Sequence, residues 1–317
     1  MGKYVAFDAP EADAIVAEAI REIGAEITAL KLHNLRGVVL GGGYGRGEGG
    51  VMPDGRLSND LDFYVVVADG TSAADAAAGI SAPLEEISRR WTEKLGVDVD
   101  FCQPKTPWRI RHDQERLMIQ ELLSGYFDVA GEPGKKLFEG IRRREPSELP
   151  WIEAARLLLN RGAGLLLAAE SREARFIARN INKAVLGAGD ARLMAAHRYT
   201  WRATDRATAL GEALYSRALD WKFRPQAEAP CRIDEARECW LAAANEILAA
   251  PEAHGYEARR SPFHAARWLM RRRSLGPLPF STFALDPTLR VFLAIRHALE
   301  TGANFSTSLR RDWQIFN

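Results

Sequence analysis

The sequence predicts an α+β fold: a mixed sheet flanked by helices, followed by an all-helical region. Three observations carry this. Residues 1–145 alternate between segments of period two and segments of period 3.6. From residue 150 onward nearly every apolar pattern is helical. Between them, Arg142-Arg143-Arg144-Glu145-Pro146 and Pro150 form a charged, proline-marked seam of the kind that links domains. The expected domains are therefore 1–145 and 150–317, a division that suits a chain of 317 residues.

The elements come in this order. Residues 10–32 predict an amphipathic helix, because Ile15, Ala19, Ile23, Ile27 and Leu30 recur at three- and four-residue spacing. Residues 37–40 read as a short buried strand that runs into the glycine loop 41–50. Residues 49–57, with Pro53-Asp54-Gly55, predict a protruding turn. Residues 60–67 are rich in β-branched and aromatic side chains, which is a strand signature. Residues 81–95 predict a helix with Pro83 in its first turn and Leu84, Ile87, Trp91 and Leu95 as one stripe. Residues 97–102 alternate as a strand, 111–123 predict one helix, and 127–129 a last short strand. Further helices are expected at 151–170, 172–186, 190–218, 233–249, 262–273 and 287–300, with Gly187-Ala188-Gly189 breaking two of them.

Composition narrows the function. Hydrophobic residues make up 47% and charged residues 27%, so there is enough apolar material for a folded core. Lys and Arg number 43 against 42 Asp and Glu, a balance that argues against a protein built to coat nucleic acid. The longest apolar-and-glycine run, 162–169, is far short of the roughly 20 residues a membrane span needs. With no secretory pattern at the start and only Cys102, Cys231 and Cys239, a cytoplasmic protein with reduced thiols is expected.

The chemistry concentrates in three places. On the strand 60–67, alternation sends Leu61, Phe63, Val65 and Val67 to one face and Asp60 and Asp62 to the other. Like charges so close call for a cation, and hard oxygen ligands favour magnesium or manganese. On 97–102 the same alternation turns Asp98 and Asp100 outward, so a second acidic strand could converge on the same ions. Glycines 41–50 let the backbone approach a phosphate, and Arg46 adds a fixed positive charge. The run lacks the trailing Gly-Lys-Ser/Thr of a P-loop, and no helix pattern follows Gly50 as a dinucleotide fold requires.

Gly42-Gly43-Tyr44-Gly45-Arg46-Gly47-Glu48, then Asp60-Leu61-Asp62, then Val99-Asp100-Phe101 together resemble the polymerase-beta-like nucleotidyltransferase superfamily, over about residues 20–145. The later chain is similar in architecture to the helical domain of kanamycin nucleotidyltransferases. The resemblance implies Asp60, Asp62 and Asp100 as metal ligands and catalytic carboxylates, with Asp98 as a competing register for the third. It implies Gly42, Gly43, Arg46 and Lys183 as contacts to the nucleotide, Mg²⁺ or Mn²⁺ as the ion, and an NTP, by preference ATP, as substrate. It further implies a catalytic domain at 1–145 and a helical domain at 150–317 that clamps nucleotide and acceptor. The acceptor is expected to be the hydroxyl of a small molecule or partner protein rather than nucleic acid. Two departures stand out: Gly43 occupies a position where serine is commoner, and sixteen residues separate it from Asp60, more than the family's usual loop. The alternative reading is a non-catalytic regulatory or antitoxin-like protein that keeps the fold for interaction. Asp190, Tyr199 and Arg206 are further candidates for the acceptor cleft. The basic clusters Arg259-Arg260 and Arg271-Arg272-Arg273 read as solvated helix ends, and Trp201, Trp221, Trp240 and Trp268 as core.

Overall fold

Proline at a first helical turn costs no hydrogen bond, and α1 (Pro10–Ala29) opens on one. Its Ala12, Val16, Ala19, Ile23 and Ile27 form the buried stripe. The structure is a computed structural model and describes residues 2–253 and 287–316. The described residues divide into two units, 2–144 with Lys222–Gln226, and Glu145–Trp221 with 227–253 and 287–316. The chain is α+β: one unit holds the sheet and the other is helical.

In the first unit, β1 (Leu35–Leu40) leads into a one-turn helix, α2 (Gly42–Gly45), where sequence reading expects an open loop. β2 (Leu61–Val67) follows, then α3 (Ala73–Ala76), which joins α4 (Ala82–Leu95) through the wider turn Ala77–Ser81. β3 (Val99–Phe101), α5 (Pro107–His112), α6 (Leu117–Ser124), β4 (Phe127–Gly131) and α7 (Gly134–Leu137) complete it. The strands lie in the order β3-β2-β1-β4, with β1 antiparallel to β2 and β4, and β2 parallel to β3.

Period two divides the side chains between two cores. Val38, Leu40, Leu61, Phe63, Val65 and Val99 join the stripes of α1 and α4. Val39 and Val66 face the other way, toward Ile110, Ile119, Leu122 and Leu137, with Tyr64 packed beside them. Gly24 of α1 lies so close to β4 that a Cβ there would stand 2.3 Å from the Val129 carbonyl oxygen.

One expected helix, 111–123, is two. Thr106 caps α5 by accepting the Arg109 N–H at 3.1 Å, and the chain turns at 113–116 before α6 begins. The turn is held from outside the segment: the fully buried Gln120 amide donates to the Gln114 and Arg142 carbonyls at 2.6 and 2.9 Å.

In the second unit, α8 (Trp151–Glu170), α9 (Ala174–Ala195), α10 (Ala203–Leu210), α11 (Ala213–Phe223, whose last two residues belong to the first unit) and α12 (Ile233–Ala249) precede α13 (Pro287–Thr301) and α14 (Thr307–Phe316). α8 packs on α9, α12 and α13. The indole of Trp240 is buried among them and donates to the Leu158 carbonyl at 2.9 Å. The expected break at Gly187-Ala188-Gly189 does not occur, and α9 runs straight through it. These glycines serve close packing: a Cβ at Gly187 would meet Arg161 Cγ at 2.5 Å, and one at Gly189 would meet Tyr215 Cδ2 at 2.4 Å. The expected helix 190–218 instead breaks twice, between α9 and α10 and again at Gly211, whose φ of +66° ends α10. The expected helix 262–273, both basic clusters and Trp268 lie outside the described residues. Among the described residues no helix is long and apolar enough to cross a membrane.

Candidate functional site

β2 and β3 run parallel in the register Leu61↔Val99, Asp62↔Asp100, Phe63↔Phe101. The Phe63 and Phe101 rings stack at 5.0 Å on the core side, so Asp62 and Asp100 stand beside one another on the opposite side. Asp100, not Asp98, is the residue registered against Asp62. Asp98 precedes β3, and its backbone carbonyl accepts the Leu61 N–H at 2.9 Å.

Continuing the alternation puts Tyr64 beyond Asp62 and Cys102 beyond Asp100 on that same face. The electrostatics agree. Burial pushes the Cys102 thiol up to about 12, helped by the negative charges of Asp62 and Asp100. Burial also raises the Tyr64 phenol, with Cys102, Asp62 and Glu121 adding to the shift and Arg46 opposing it. Sequence reading passes over Tyr64 and Cys102, although each lies two residues after a singled-out aspartate, which is the signal that finds them.

The glycine turn lies against this face. The Gly41 N–H donates to the Asp62 carbonyl at 2.9 Å, and a Cβ at Gly41 would sit 2.6 Å from the Tyr64 ring. Gly42 takes φ +62°, and a Cβ there would fall 2.0 Å from the Asp62 carboxylate. Only glycine meets both demands, the left-handed backbone and the carboxylate on its α-carbon. Gly43 has no such constraint: the nearest atom to its would-be Cβ is the Glu48 carbonyl oxygen at 3.5 Å.

Asp60 precedes β2, and Tyr44 holds the two residues before it. The buried Tyr44 hydroxyl donates to the Gly50 carbonyl at 2.8 Å and accepts the Ser58 and Asn59 N–H groups at 3.2 and 3.4 Å. Burial carries the Tyr44 phenol up to about 12, and the Asp60 charge adds to that shift. The extra residues of the expected protruding turn fold into a small hairpin, bridged between Val51 and Leu57, which are both buried, with Pro53 and Asp54 exposed at its tip. The Val51 N–H also donates to the Phe223 carbonyl at 2.9 Å, inside the same unit.

Arg46 is nearly buried, with its guanidinium 3.6 Å from Glu48 and 3.6 Å from Glu121. Its charge is therefore shared between two carboxylates, whereas the sequence alone offers it wholly to a phosphate. Lys222 lies 3.5 Å from Glu48 and brings a second cation to that carboxylate. Neither Glu121 nor Lys222 carries a sequence signal, because each arrives from a distant element.

Among the described residues, no group of three or more His, Cys, Asp or Glu side chains is arranged to hold a metal ion. The donor chemistry nonetheless fits the expected ion: Asp62 and Asp100 offer adjacent hard oxygens at one edge of two strands. In the second unit Lys183 is exposed on α9. Asp190, Tyr199 and Arg206 do come together, but as a buried network. The Arg206 guanidinium lies 2.8 Å from Asp190 and 4.8 Å above the Tyr199 ring, and Tyr215 donates to Asp190 at 2.6 Å. All three cysteines are free. In comparison with known proteins, no family model and no curated protein matches this chain.

Proposed function

We propose that the chain is a metal-dependent nucleotidyltransferase that moves a nucleoside monophosphate from an NTP, by preference ATP, to an acceptor hydroxyl. One observation carries the reading: Asp62 and Asp100 are registered side by side on parallel strands, and the Asp62 carboxylate lies on the α-carbon of Gly42. Paired carboxylates repel unless a cation stands with them, and a glycine turn beside them leaves room for a phosphate. Asp62 and Asp100 would hold Mg²⁺ or Mn²⁺, with Asp60 one pleat earlier as a further ligand. Such an ion neutralises phosphate charge and polarises the phosphoryl group.

The chain's own groups do the rest. Asp100 takes the proton of the acceptor hydroxyl as its oxygen attacks the α-phosphorus. The bond from that phosphorus to the bridging oxygen breaks, and pyrophosphate leaves with the electron pair. The backbone of Gly42 and Gly43 lines the phosphates, and Arg46, tempered by Glu48 and Glu121, adds partial positive charge. The resemblance also implies Lys183 as a contact to the nucleotide. The acceptor is a small molecule or a partner protein.

The test is pyrophosphate release from each common NTP with Mg²⁺ or Mn²⁺ and pooled acceptors. Wild-type protein should release it, and Asp62→Asn and Asp100→Asn should each fall at least a hundredfold while still folding. Silence of the wild type across all NTPs and pools, or full activity in both variants, refutes the reading.

A further inference from the structure

The net charge of the chain hides a strongly basic face. Residues 105–116 and 142–144 carry seven Lys and Arg against two acidic residues, while the whole chain is balanced at a formal +1. The fold gathers them in the sheet-bearing unit. Asp113, only 4% exposed, meets the Arg109 guanidinium at 2.9 Å, Lys105 and Arg116 at 3.6 Å each, and the His112 ring at 3.3 Å. One buried carboxylate needs one cation, so three permanent charges leave a surplus directed outward. The cations crowd each other: burial lowers the Lys105 pKa, and Arg116 and Arg109 lower it further against the pull of Asp113. Two further acids nearby are engaged, Asp69 with Arg111 at 3.7 Å and the Trp108 N–H at 3.0 Å, and Glu115 with Arg144 at 2.6 Å.

An aromatic platform stands in the middle of this charge. Trp108 is 60% exposed and stacks on His112 with ring centroids 5.5 Å apart. Arg109 and Arg111, both largely exposed, follow it one and three residues later on α5. Packing gives no reason to leave an indole outside among arginines. An exposed indole on the same short helix as two exposed arginines suits a base stacked on the ring with its phosphates on the guanidinium groups.

We infer that this face, built from Trp108, Arg109, Arg111, His112 and Arg116, binds single-stranded nucleic acid. Such binding is separate from nucleotidyl transfer and does not depend on it. The chain's overall charge points the other way, but a ligand meets local charge rather than the sum. An acidic membrane surface would use the same cations but would not require a stacked ring. The exposed Trp108–His112 pair therefore favours nucleic acid.

The test is fluorescence anisotropy of a labelled twelve-nucleotide single strand against the full chain over a salt series. Contact with about four phosphates predicts a slope of log K against log salt near −3. Trp108→Ala should weaken binding about tenfold, and Trp108→Phe should recover most of it, since the ring rather than the N–H is used. Arg111→Glu should also weaken binding about tenfold and flatten the slope by about one. Neither Trp108 nor Arg111 is an ion-pair partner of Asp113, and circular dichroism confirms that each variant is folded before it is scored. Absence of saturable binding at low salt, wild-type affinity in the Trp108→Ala and Arg111→Glu variants, or tighter binding to phosphatidylserine vesicles than to the oligonucleotide each overturns the inference.

Discussion

Gly42→Ala probes the contact on which the candidate site turns. At φ +62° an alanine costs about 1–2 kcal/mol in backbone strain. Its Cβ would also stand 2.0 Å from Asp62 Oδ2 and 2.9 Å from Cγ, so the carboxylate must swing away from its place beside Asp100. A carboxylate at the end of a short side chain can turn aside at modest cost, so the backbone term dominates stability. The displacement dominates function. A loss of about 1–2 kcal/mol in a unit of this size lowers the melting temperature by about 2–8 °C. Gly43→Ala is the control, because its Cβ meets nothing nearer than 3.5 Å. It should melt at or slightly above wild type, as a compatible Gly→Ala change restricts the unfolded chain. Calorimetry of both variants, and of Gly42→Ala in an Asp62→Ala background, separates the terms. In that background the cost should shrink toward the strain alone, and pyrophosphate release should already be lost in the single Gly42 variant. A Gly42→Ala protein that melts like wild type, or a Gly43→Ala protein that loses as much, would refute the left-handed turn at Gly42, and pyrophosphate release unchanged in Gly42→Ala would refute its contact with Asp62.

Three other outcomes are expected. The Cys102 thiol and the Tyr44 phenol both have folded pKa values raised to about 12. As pH rises above about 9 the unfolded chain therefore gives up protons that the folded chain keeps, and stability falls with pH up to about 12; denaturant titrations should show this decline, and a slope unchanged in Cys102→Ala would contradict it. Asp190→Ala leaves the Arg206 guanidinium, 4% exposed, without its buried carboxylate and should cost about 3 kcal/mol in urea unfolding, whereas a loss under about 1 kcal/mol would mean the two carbonyls it also reaches are sufficient. Lys183→Ala should weaken NTP binding in a calorimetric titration while Lys183→Arg recovers part of it, and an unchanged affinity in both removes Lys183 from the nucleotide grip.

Much of the local structure was legible because its signals are local. Period two along 61–67 divides Leu61, Phe63 and Val65 from Asp62 and Tyr64, and those two sets occupy opposite faces of the sheet. The stripe Leu84, Ile87 and Trp91 is buried as the helical period requires. Glycines were less legible, since one residue type serves opposite purposes. At Gly187 and Gly189 the missing side chain admits Arg161 and Tyr215 rather than ending a helix, and at Gly211 a positive φ does end one. The break at 113–116 was hidden because its supports, Gln120 and the Arg142 carbonyl, belong to other parts of the chain.

By itself the sequence determined which residues could carry chemistry: acids at alternate positions on two strands, and glycines beside them. Tertiary structure decided which of them meet. Asp62 and Asp100 lie far apart in sequence, and only the parallel pairing of β2 with β3 sets one opposite the other. The same folding surrounded Arg46 with Glu48 and Glu121, and drew Lys105, Arg109 and Arg116 around a single buried aspartate. Periodicity acts over a few residues of backbone. Pairing and charge neighbourhood depend on which distant segments pack together to bury apolar surface, and that is settled by the whole chain at once.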